Sequence, residues 1–484
     1  NPNTLTTIPI TDERALDNSL FDPYDKRFLE NAFASFFGSA SYTYDRKYTV
    51  FGSLRYDGSN LFGVNPKYRY LPIWSVAGSW NVDEEEFMNE FDFISNMKLR
   101  ASYGIQGNID KSTSPFVLGE YDNVSILPGI TEEIIKALGA PNPNLRWEKT
   151  TSSNLGLDLG LFNNRIYLTG DYYYRKSTDL IGLRAVPLES GYNFINTNWG
   201  TVSNRGFELA VNSTNIAQSN FKWTTGFNIS HNKSIVEDIE IREESFKPSL
   251  KGYSANAIFA IKTAGLDSNG LPLFWRDGKK ISAVEFYNLE EATDGSQLTR
   301  EEHRNLYSYV GDGTPLFSGG VRNTFQYKQF DLRILSNFNI KQTVQATPSY
   351  YPTLAQPGNN YSTQILKAGT GNLPALIGSN SPGFNTDLVY NWYNSFDAGR
   401  TYDDLDIWVK DISYIRISSI RLSYALPANQ LEKLKISGLN FNIEGRNLLV
   451  FGSDFDGYFD PETYGSLYAQ PIPKVISAGF NLSL

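Results

Sequence analysis

Cysteine is absent from the 484 residues of this chain, and histidine occurs only twice, as His231 and His303. The lack of cysteine excludes a disulfide framework and every metal site that needs thiolate ligands. Two isolated histidines are too few for a histidine-rich metal site or for a recurring histidine-based catalytic relay. We therefore expect no metal, no cofactor and no enzyme activity.

Long apolar runs are also missing, since no stretch approaches the roughly 18 apolar residues that a membrane-spanning helix needs. The strands of a membrane barrel would escape this test, because alternation averages their hydropathy. The first residues lack the basic and apolar regions of a signal peptide. We expect that a signal was removed or that the chain begins part-way through a longer protein. The formal net charge of −9 argues against a nucleic-acid partner.

Alternation of apolar and polar residues is what the chain has instead, and residues 154–174 show it most clearly. Leucines alternate there with small or polar residues, an Asn-rich turn follows, and a second alternating run ends in tyrosines. This pattern predicts an antiparallel hairpin with one apolar and one polar face. A soluble sandwich would bury the apolar face in its core, whereas a membrane barrel would turn it toward lipid. The hairpin alone leaves both open.

Runs of the same kind recur along the chain and predict about 13 strands, of which the seventh is centred on Phe207, Leu209 and Val211. The connections between them alternate, being short after odd-numbered strands and usually long after even-numbered ones. The longest are residues 107–147, 237–313 and 342–410. Long loops at one end and short turns at the other are typical of outer-membrane barrels. The fold class is therefore predicted to be all-β, a transmembrane antiparallel β-barrel with long extracellular loops.

The odd strand count has a consequence for the domain organisation, because a closed bacterial barrel made of one chain has an even number of strands. If the chain ends in the periplasm, residues 1–30 lie outside as an extracellular loop segment. Residues 31–484 are then the C-terminal part of a barrel whose first strands lie elsewhere.

One strand breaks the alternation, because Ile415 and Ile417 stand in opposite phase to Ile420 and Leu422. A β-bulge near residues 418–419 would return all four to one face. Alternatively, the first two isoleucines pack inward against a plug or a loop, and the pattern leaves both possibilities open.

Several ordered motifs together cover most of residues 31–484. They are RYDGSNLFG at 55–63, PIWSVAGSW at 72–80, EEFM at 85–88, LRASYG at 99–104 with GN at 107–108, NPNLRWEKT at 142–150 with NLG at 154–156, NRGFEL at 204–209, YIRI at 414–417 with YALP at 424–427, and GRNL at 445–448. This ordered set resembles the motifs of SusC/RagA-type TonB-dependent transporters.

The resemblance implies a barrel of about 22 strands, of which this chain would supply the last 13 or so. It implies location in the outer membrane and import of oligosaccharides or peptides, energised by TonB. The partners it implies are a SusD-like surface lipoprotein, which acts as a lid, and TonB, which would act through an N-terminal plug that this chain lacks. The last residues depart from the resemblance, since these barrels usually end in Phe and this chain ends in Leu484.

Aromatic residues of the loops are the candidate ligand-binding residues, because flat rings stack on sugars and orient ligands at low entropic cost. The alternative is that they pack loop on loop or form the aromatic girdle at the bilayer surface. The candidates are Tyr192, Trp199, Trp275, Tyr307, Tyr309, Tyr350, Tyr351, Trp392 and Tyr393.

The acidic clusters have weaker claims to a function. Residues 267–270 resemble the start of a calcium loop but lack its bidentate Glu, so a turn is the better interpretation. Asp403, Asp404 and Asp406 could perform acid–base chemistry, but a solvated loop is the better interpretation. Asp454, Asp456 and Asp460 could bind calcium, but structural capping of a loop is the better interpretation.

Two further expectations concern surfaces. In the tenth strand, Leu332 and Ile334 should face lipid and Arg333 the lumen. Loops 237–313 and 342–410 should carry the contact to the lid protein, with stabilisation of the barrel mouth as the alternative. Two other classes of protein remain: a secreted multidomain β protein that binds or degrades polysaccharide, and a passive porin.

Overall fold

The computed structural model describes most of the chain, and every structural statement below refers to that part. It comprises residues 32–61, 65, 68–111, 113–117, 119–127, 130–137, 139–192, 194–239, 245, 247–268, 270–276, 278–286, 300–351, 358, 360–376, 402–434, 436–453, 460–463 and 470–483.

Twenty β-strands make up nearly all of the regular structure. In chain order they are β1 (Phe33–Tyr44), β2 (Tyr48–Ser59), β3 (Tyr70–Asn81), β4 (Ile94–Asn108), β5 (Gly119–Leu127), β6 (Ile130–Ala137), β7 (Glu148–Leu161), β8 (Ile166–Ala185), β9 (Phe194–Ala217), β10 (Phe221–Asp238), β11 (Ala257–Ile261), β12 (Thr263–Leu266), β13 (Pro272–Arg276), β14 (Lys279–Ile281), β15 (Tyr307–Asp312), β16 (Phe317–Tyr327), β17 (Phe330–Gln345), β18 (Val409–Ala425), β19 (Gly438–Ser453) and β20 (Val475–Ser483).

Thirteen of these strands form one antiparallel sheet, which we call the wall. Their order is β1-β2-β3-β4-β7-β8-β9-β10-β16-β17-β18-β19-β20, so each strand pairs with the next wall strand along the chain. The predicted all-β class and the count of about 13 strands are confirmed. The other strands lie within the long connections as the separate pairs β5–β6 and β11–β15 and the three-stranded sheet β12–β13–β14.

Helices are short, and no helix in the described part of the chain is long and apolar enough to cross a membrane. The α-helices are Ala283–Phe286, Arg300–Asn305 and Ala428–Leu434, and the 3-10 helices are Val82–Glu84, Glu86–Glu90, Leu188–Ser190, Thr363–Lys367 and Asp406–Trp408.

Short turns close one end of the wall, and their residues adopt the backbone conformations that tight hairpins require. Phe162, Asn163 and Asn164 between β7 and β8 have φ of 55°, 58° and 58°. Lys328 between β16 and β17 has φ of 51°. Asparagine tolerates this left-handed region better than most residues, which explains the Asn-rich turn. The hairpin predicted at 154–174 is present, with Leu161 opposite Ile166.

The two faces of the wall differ in chemistry, as the alternation predicts. On the apolar face, large side chains stay exposed, among them Leu155 at 63% and Ile443 at 51%. The polar face carries ion pairs, such as those of Arg100 with Asp158 and Asp171. Leu332 and Ile334 lie opposite Leu422 and Ile420 on the apolar face, and Arg333 lies opposite Arg421 on the polar face. Directly opposed residues share a face of a sheet.

The predicted bulge lies at Ser418. On β17, Ile334 and Phe338 are four residues apart and share a face, whereas their partners on β18, Ile420 and Ile415, are five residues apart. The register of β18 shifts between Ile417 and Ser419 against both neighbouring strands. The extra residue brings the isoleucines on either side of Ser418 to the apolar face. The predicted bulge is therefore confirmed, and the alternative of inward packing by Ile415 and Ile417 is not.

The two longest connections fold together at the long-loop end of the wall. We call the described residues between β10 and β16 and between β17 and β18 the cap. Backbone hydrogen bonds join its two halves, from Ile261 N–H to Asp404 O at 2.8 Å and from Ala375 N–H to Gly270 O at 2.8 Å. One buried cluster draws on both halves and consists of Ile261, Leu271, Phe274, Phe286, Tyr350, Tyr402, Leu405 and Trp408.

Candidate functional site

Asp404 is the polar centre of the cap. Its Oδ1 lies 2.9 Å from Lys247 Nζ, and its Oδ2 accepts a hydrogen bond from Tyr307 Oη at 2.8 Å. Tyr307 and Lys247 precede β16, whereas Asp404 follows β17, so these contacts also join the two halves. The carboxylate side chain is nearly buried. A buried charge that lost one partner would be costly, so these contacts fix the relative position of the halves.

The neighbouring carboxylates have structural partners as well. Asp406 Oδ1 accepts hydrogen bonds from the Thr263 backbone N–H at 3.1 Å and from Thr263 Oγ1 at 2.7 Å. Burial raises the pKa of Asp403, and the negative charge of Asp404 raises it further. A hydrogen bond from Tyr351 and the charge of Lys247 act in the opposite direction. The cluster 403–406 therefore anchors cap segments to one another.

Three of the aromatic candidates belong to the packed interior of the cap. Tyr350 is buried in the cluster, and its Oη donates to Pro374 O at 2.5 Å. Burial raises its pKa to about 12. Tyr307 and Tyr351 are half-buried and pack against the same cluster. These contacts are the loop-on-loop packing that the sequence offers as the alternative to ligand binding.

Two other candidates, Trp275 and Tyr309, keep a large part of their rings exposed at the surface of the cap. Lys280 Nζ lies 5.4 Å from the centre of the Trp275 ring. Tyr309 lies 5.1 Å from the ring of Tyr253, which is also exposed. Pairs of exposed rings offer flat apolar surfaces with a polar edge, which suits a sugar face or a peptide side chain.

Tyr192 and Trp199 lie apart from the cap, near the long-loop ends of β8 and β9. Trp199 is half-buried beside Gly182, and its indole N–H finds no hydrogen-bond partner among the described residues. Tyr192 contributes to a cavity of about 380 Å³, whose lining residues are Ala137, Gly139, Ala140, Leu183, Gly191, Tyr192, Phe194 and Asn196.

The remaining two candidates, Trp392 and Tyr393, lie outside the described residues. Ligand binding by any of the nine aromatic residues stays a prediction. The sequence interpretation left out Tyr253 and Lys280, which the fold places beside Tyr309 and Trp275. Tyr253 is itself a loop aromatic and shares the signal that selected the others, whereas Lys280 is recognisable only from its distance to the indole ring.

The acidic turns show no sign of a metal site in the described residues, where no group of three potential ligands comes together. Asp267 Oδ1 accepts the backbone N–H of Leu271 at 2.9 Å, and Gly270 N–H donates to Asp267 O at 3.1 Å. This is the hydrogen bonding of a turn closed by an aspartate. Asp460 pairs with Arg416, and Asp454 and Asp456 lie outside the described residues.

Comparison with known proteins gives a consistent set of similarities. The family model described as TonB dependent receptor-like, beta-barrel, matches residues 3–258. TonB-dependent receptor P3 of Formosa agariphila is 29% identical over 463 residues, which are 90% of this chain and 42% of that protein. TonB-dependent receptor SusC of Bacteroides thetaiotaomicron is 24% identical over 499 residues, which are 97% of this chain and 46% of that protein.

Among solved structures, the RagAB peptide transporter superposes with a TM-score of 0.73 at 22% identity, over 94% of this chain and 48% of that chain. At this identity the likeness concerns the fold. The chain spans less than half the length of these relatives.

Proposed function

Because this chain belongs to the TonB dependent receptor-like β-barrel family, we propose that it forms part of the barrel of a SusC-type nutrient importer in the outer membrane. The observation that carries the proposal is the wall itself. Its strands alternate between an exposed apolar face and a polar face with ion pairs. Lipid on one side and a wet lumen on the other account for both faces.

The connections of the wall support the same orientation. Those after β1, β7, β9 and β16 are tight turns and those after β3 and β18 are short helical segments, whereas those after β4, β10 and β17 are far longer. In outer-membrane barrels the short turns are periplasmic and the long loops extracellular. The cap and the β5–β6 hairpin would then face the outside of the cell, where cargo arrives.

The proposed cargo is an oligosaccharide or a peptide, bound and passed inward without chemical change. Exposed aromatic rings on the cap, those of Trp275, Tyr309 and Tyr253, support this class of ligand. The relative RagAB is named a peptide transporter, so peptides remain candidate cargo together with oligosaccharides. A test panel therefore needs both.

The proposed partners are a SusD-like surface lipoprotein, docked on the cap, and TonB, which would act through a segment outside this chain. The cap offers an apolar side chain for the lipoprotein contact in Leu366, which is 83% exposed. Shortening loop 342–410 would remove Tyr350, Leu405 and Trp408 from the buried cluster of the cap, so a deletion would disturb both cap halves. Surface substitutions are the sharper test.

Fractionation of the cells that make the protein tests the proposal. We expect it in the outer membrane, soluble only in detergent, and with a gel mobility that changes on heating. Recovery as a soluble monomer in plain buffer would refute the proposal and favour a secreted polysaccharide-binding protein. Ion conductance without a lipoprotein partner would favour a passive porin.

Binding and partner capture test the finer claims. Trp275→Ala and Tyr309→Ala should weaken binding to one class in a panel of oligosaccharides and peptides, whereas Tyr172→Ala on the apolar face should not. Leu366→Ser should reduce co-purification of the lipoprotein. Leu335→Ser, at an exposed leucine of the wall, is the matched control. If a test variant and its control had equal effects, the assignment of the corresponding surface would be refuted.

A further inference from the structure

Arg416 stands apart from the other arginines of the polar face because its side chain is almost fully buried. The side chain is 3% exposed, whereas that of Arg333 is 57% exposed. It lies on β18 opposite Asn337 of β17, at the long-loop side of the bulge at Ser418. A charge buried on a face that is otherwise wet requires partners that compensate its desolvation.

Those partners come from the connection between β19 and β20 and not from the wall. Arg416 Nη2 pairs with Asp460, and its Nε donates to Glu462 Oε1 at 2.7 Å. Asn337 Nδ2 donates to the same Glu462 oxygen at 3.1 Å. Two wall residues therefore hold two carboxylates of residues 460–463, which we call the docked turn.

The docked turn is preorganised to present both carboxylates. Asp460 Oδ1 accepts the backbone N–H of Glu462 at 3.0 Å, and Asp460 O accepts the backbone N–H of Thr463 at 3.0 Å. Asp460 and Pro461 are buried. Because this geometry is fixed by hydrogen bonds within the turn, the entropic cost of forming the ion pairs with Arg416 is lowered.

Arg100 provides the contrast within the same face. It also binds two carboxylates, with Nε 2.8 Å from Asp158 Oδ2 and Nη1 3.1 Å from Asp171 Oδ1. Asp158 and Asp171 belong to the neighbouring strands β7 and β8, so Arg100 braces only the wall. Arg416 makes the same kind of pairing between the wall and residues 460–463 of the connection between β19 and β20.

We propose that Arg416 is a positioning residue that clamps the docked turn against the polar face and thereby keeps it out of the lumen through which cargo passes. The passage part rests on the proposed function, whereas the clamp itself does not. Without the guanidinium, Asp460 and Glu462 would be two adjacent carboxylates with no cation between them. Their repulsion and hydration would favour release of the docked turn into the lumen.

The absence of native cysteine allows a direct test of the clamp. A spin label on Thr463→Cys, in the purified full chain in detergent, reports the mobility of the docked turn. We expect an immobilised label in the parent and after Arg416→Lys, and a several-fold faster motion after Arg416→Met. Arg100→Met, the matched control, should leave the label immobilised. An immobile label after Arg416→Met would overturn the clamp.

Passage is measured in the cells that make the protein, as uptake of the fluorescently labelled oligosaccharide or peptide that binds in the panel. We expect several-fold slower uptake with Arg416→Met and no change with Arg100→Met. Faster label motion with unchanged uptake would overturn the role in passage and leave the clamp. If Arg416→Met fails to reach the outer membrane, the double variant Asp460→Asn with Glu462→Gln releases the turn instead. Absence of the parent from the outer membrane refutes the proposed function alone.

Discussion

The wall and the cap handle apolar side chains in opposite ways. On the wall, Ile476 is 74% exposed, and rows of similar side chains cover the apolar face. In the cap, Ile261 is fully buried within a cluster drawn from two connections. Both belong to one chain, so composition alone does not set this difference.

The proposed function explains the difference, because it places the two regions in different solvents. The strands of the wall pair their backbone groups with one another, and in the outer membrane the exposed apolar side chains would face lipid. The cap buries its apolar side chains against one another, which is how a domain is stabilised in water. Cap and wall should therefore respond separately to substitutions and to solvent.

Phe274→Ala should have the largest effect and should destabilise the cap alone. Phe274 is buried and stacks on Phe286 with 4.4 Å between ring centres. Truncation of a buried phenylalanine costs about 3–5 kcal/mol. Hydrogen exchange should accelerate in residues 257–286 and 402–408 and stay unchanged in β1–β4. Phe207→Ala on the apolar face is the control. Faster exchange across the wall would show that the two regions unfold together.

Ile334→Arg should destabilise the wall and spare the cap. An arginine on the lipid face costs about 2–4 kcal/mol when it lies near the bilayer midplane. Arg333→Ala, on the polar face, should be mild. Denaturant unfolding of the protein in lipid vesicles, with heat-modifiable mobility as the reporter, measures both. Equal tolerance at the two positions would mean that the faces are assigned wrongly.

Tyr307→Phe should loosen the joint between the cap halves more gently. It removes one hydrogen bond to the carboxylate of Asp404, at 2.8 Å. A hydrogen bond to a charged group contributes about 1.5–3 kcal/mol. Limited proteolysis should become faster in the cap, while the heat-modifiable mobility of the wall is retained. Tyr309→Phe, at an exposed ring, is the matched control, and equal proteolysis of both variants would contradict the role of Asp404.

Strand patterns made the wall predictable, whereas contacts between distant segments made the cap unpredictable. Period-2 alternation located the thirteen wall strands and even the bulge at Ser418. The start of β9 was not predicted, because the residues around Asn198 do not alternate between apolar and polar. The Asn198 side chain instead donates to the backbone oxygens of Arg146 and Asp179, at 2.6 and 2.7 Å. The buried cluster of the cap was not predicted either, because Ile261 and Leu405 come from different connections and neither lies in a periodic run.

Asp403→Asn should have the smallest effect and should change how the stability of the cap depends on pH. Burial raises the pKa of Asp403 above its ordinary value of 3.8, and the negative charge of Asp404 raises it further. A group whose pKa is raised in the folded state stabilises it at pH below the ordinary value. That contribution is lost as the pH rises through the raised value. At neutral pH the carboxyl group of Asp403 is therefore less favourable to the cap than a neutral amide would be.

The amide of Asp403→Asn does not titrate, so the cap of this variant should be slightly more stable than the parent at neutral pH. The difference should shrink as the pH falls toward 3.8, where the parent carboxyl is protonated as well. Urea unfolding of the cap, followed by brief proteolysis at a series of pH values, measures the difference. Asp331→Asn on the wall is the control. A stability difference that grows as the pH falls would mean that Asp403 is stabilised as the carboxylate, by Tyr351 and Lys247, against the effect of burial.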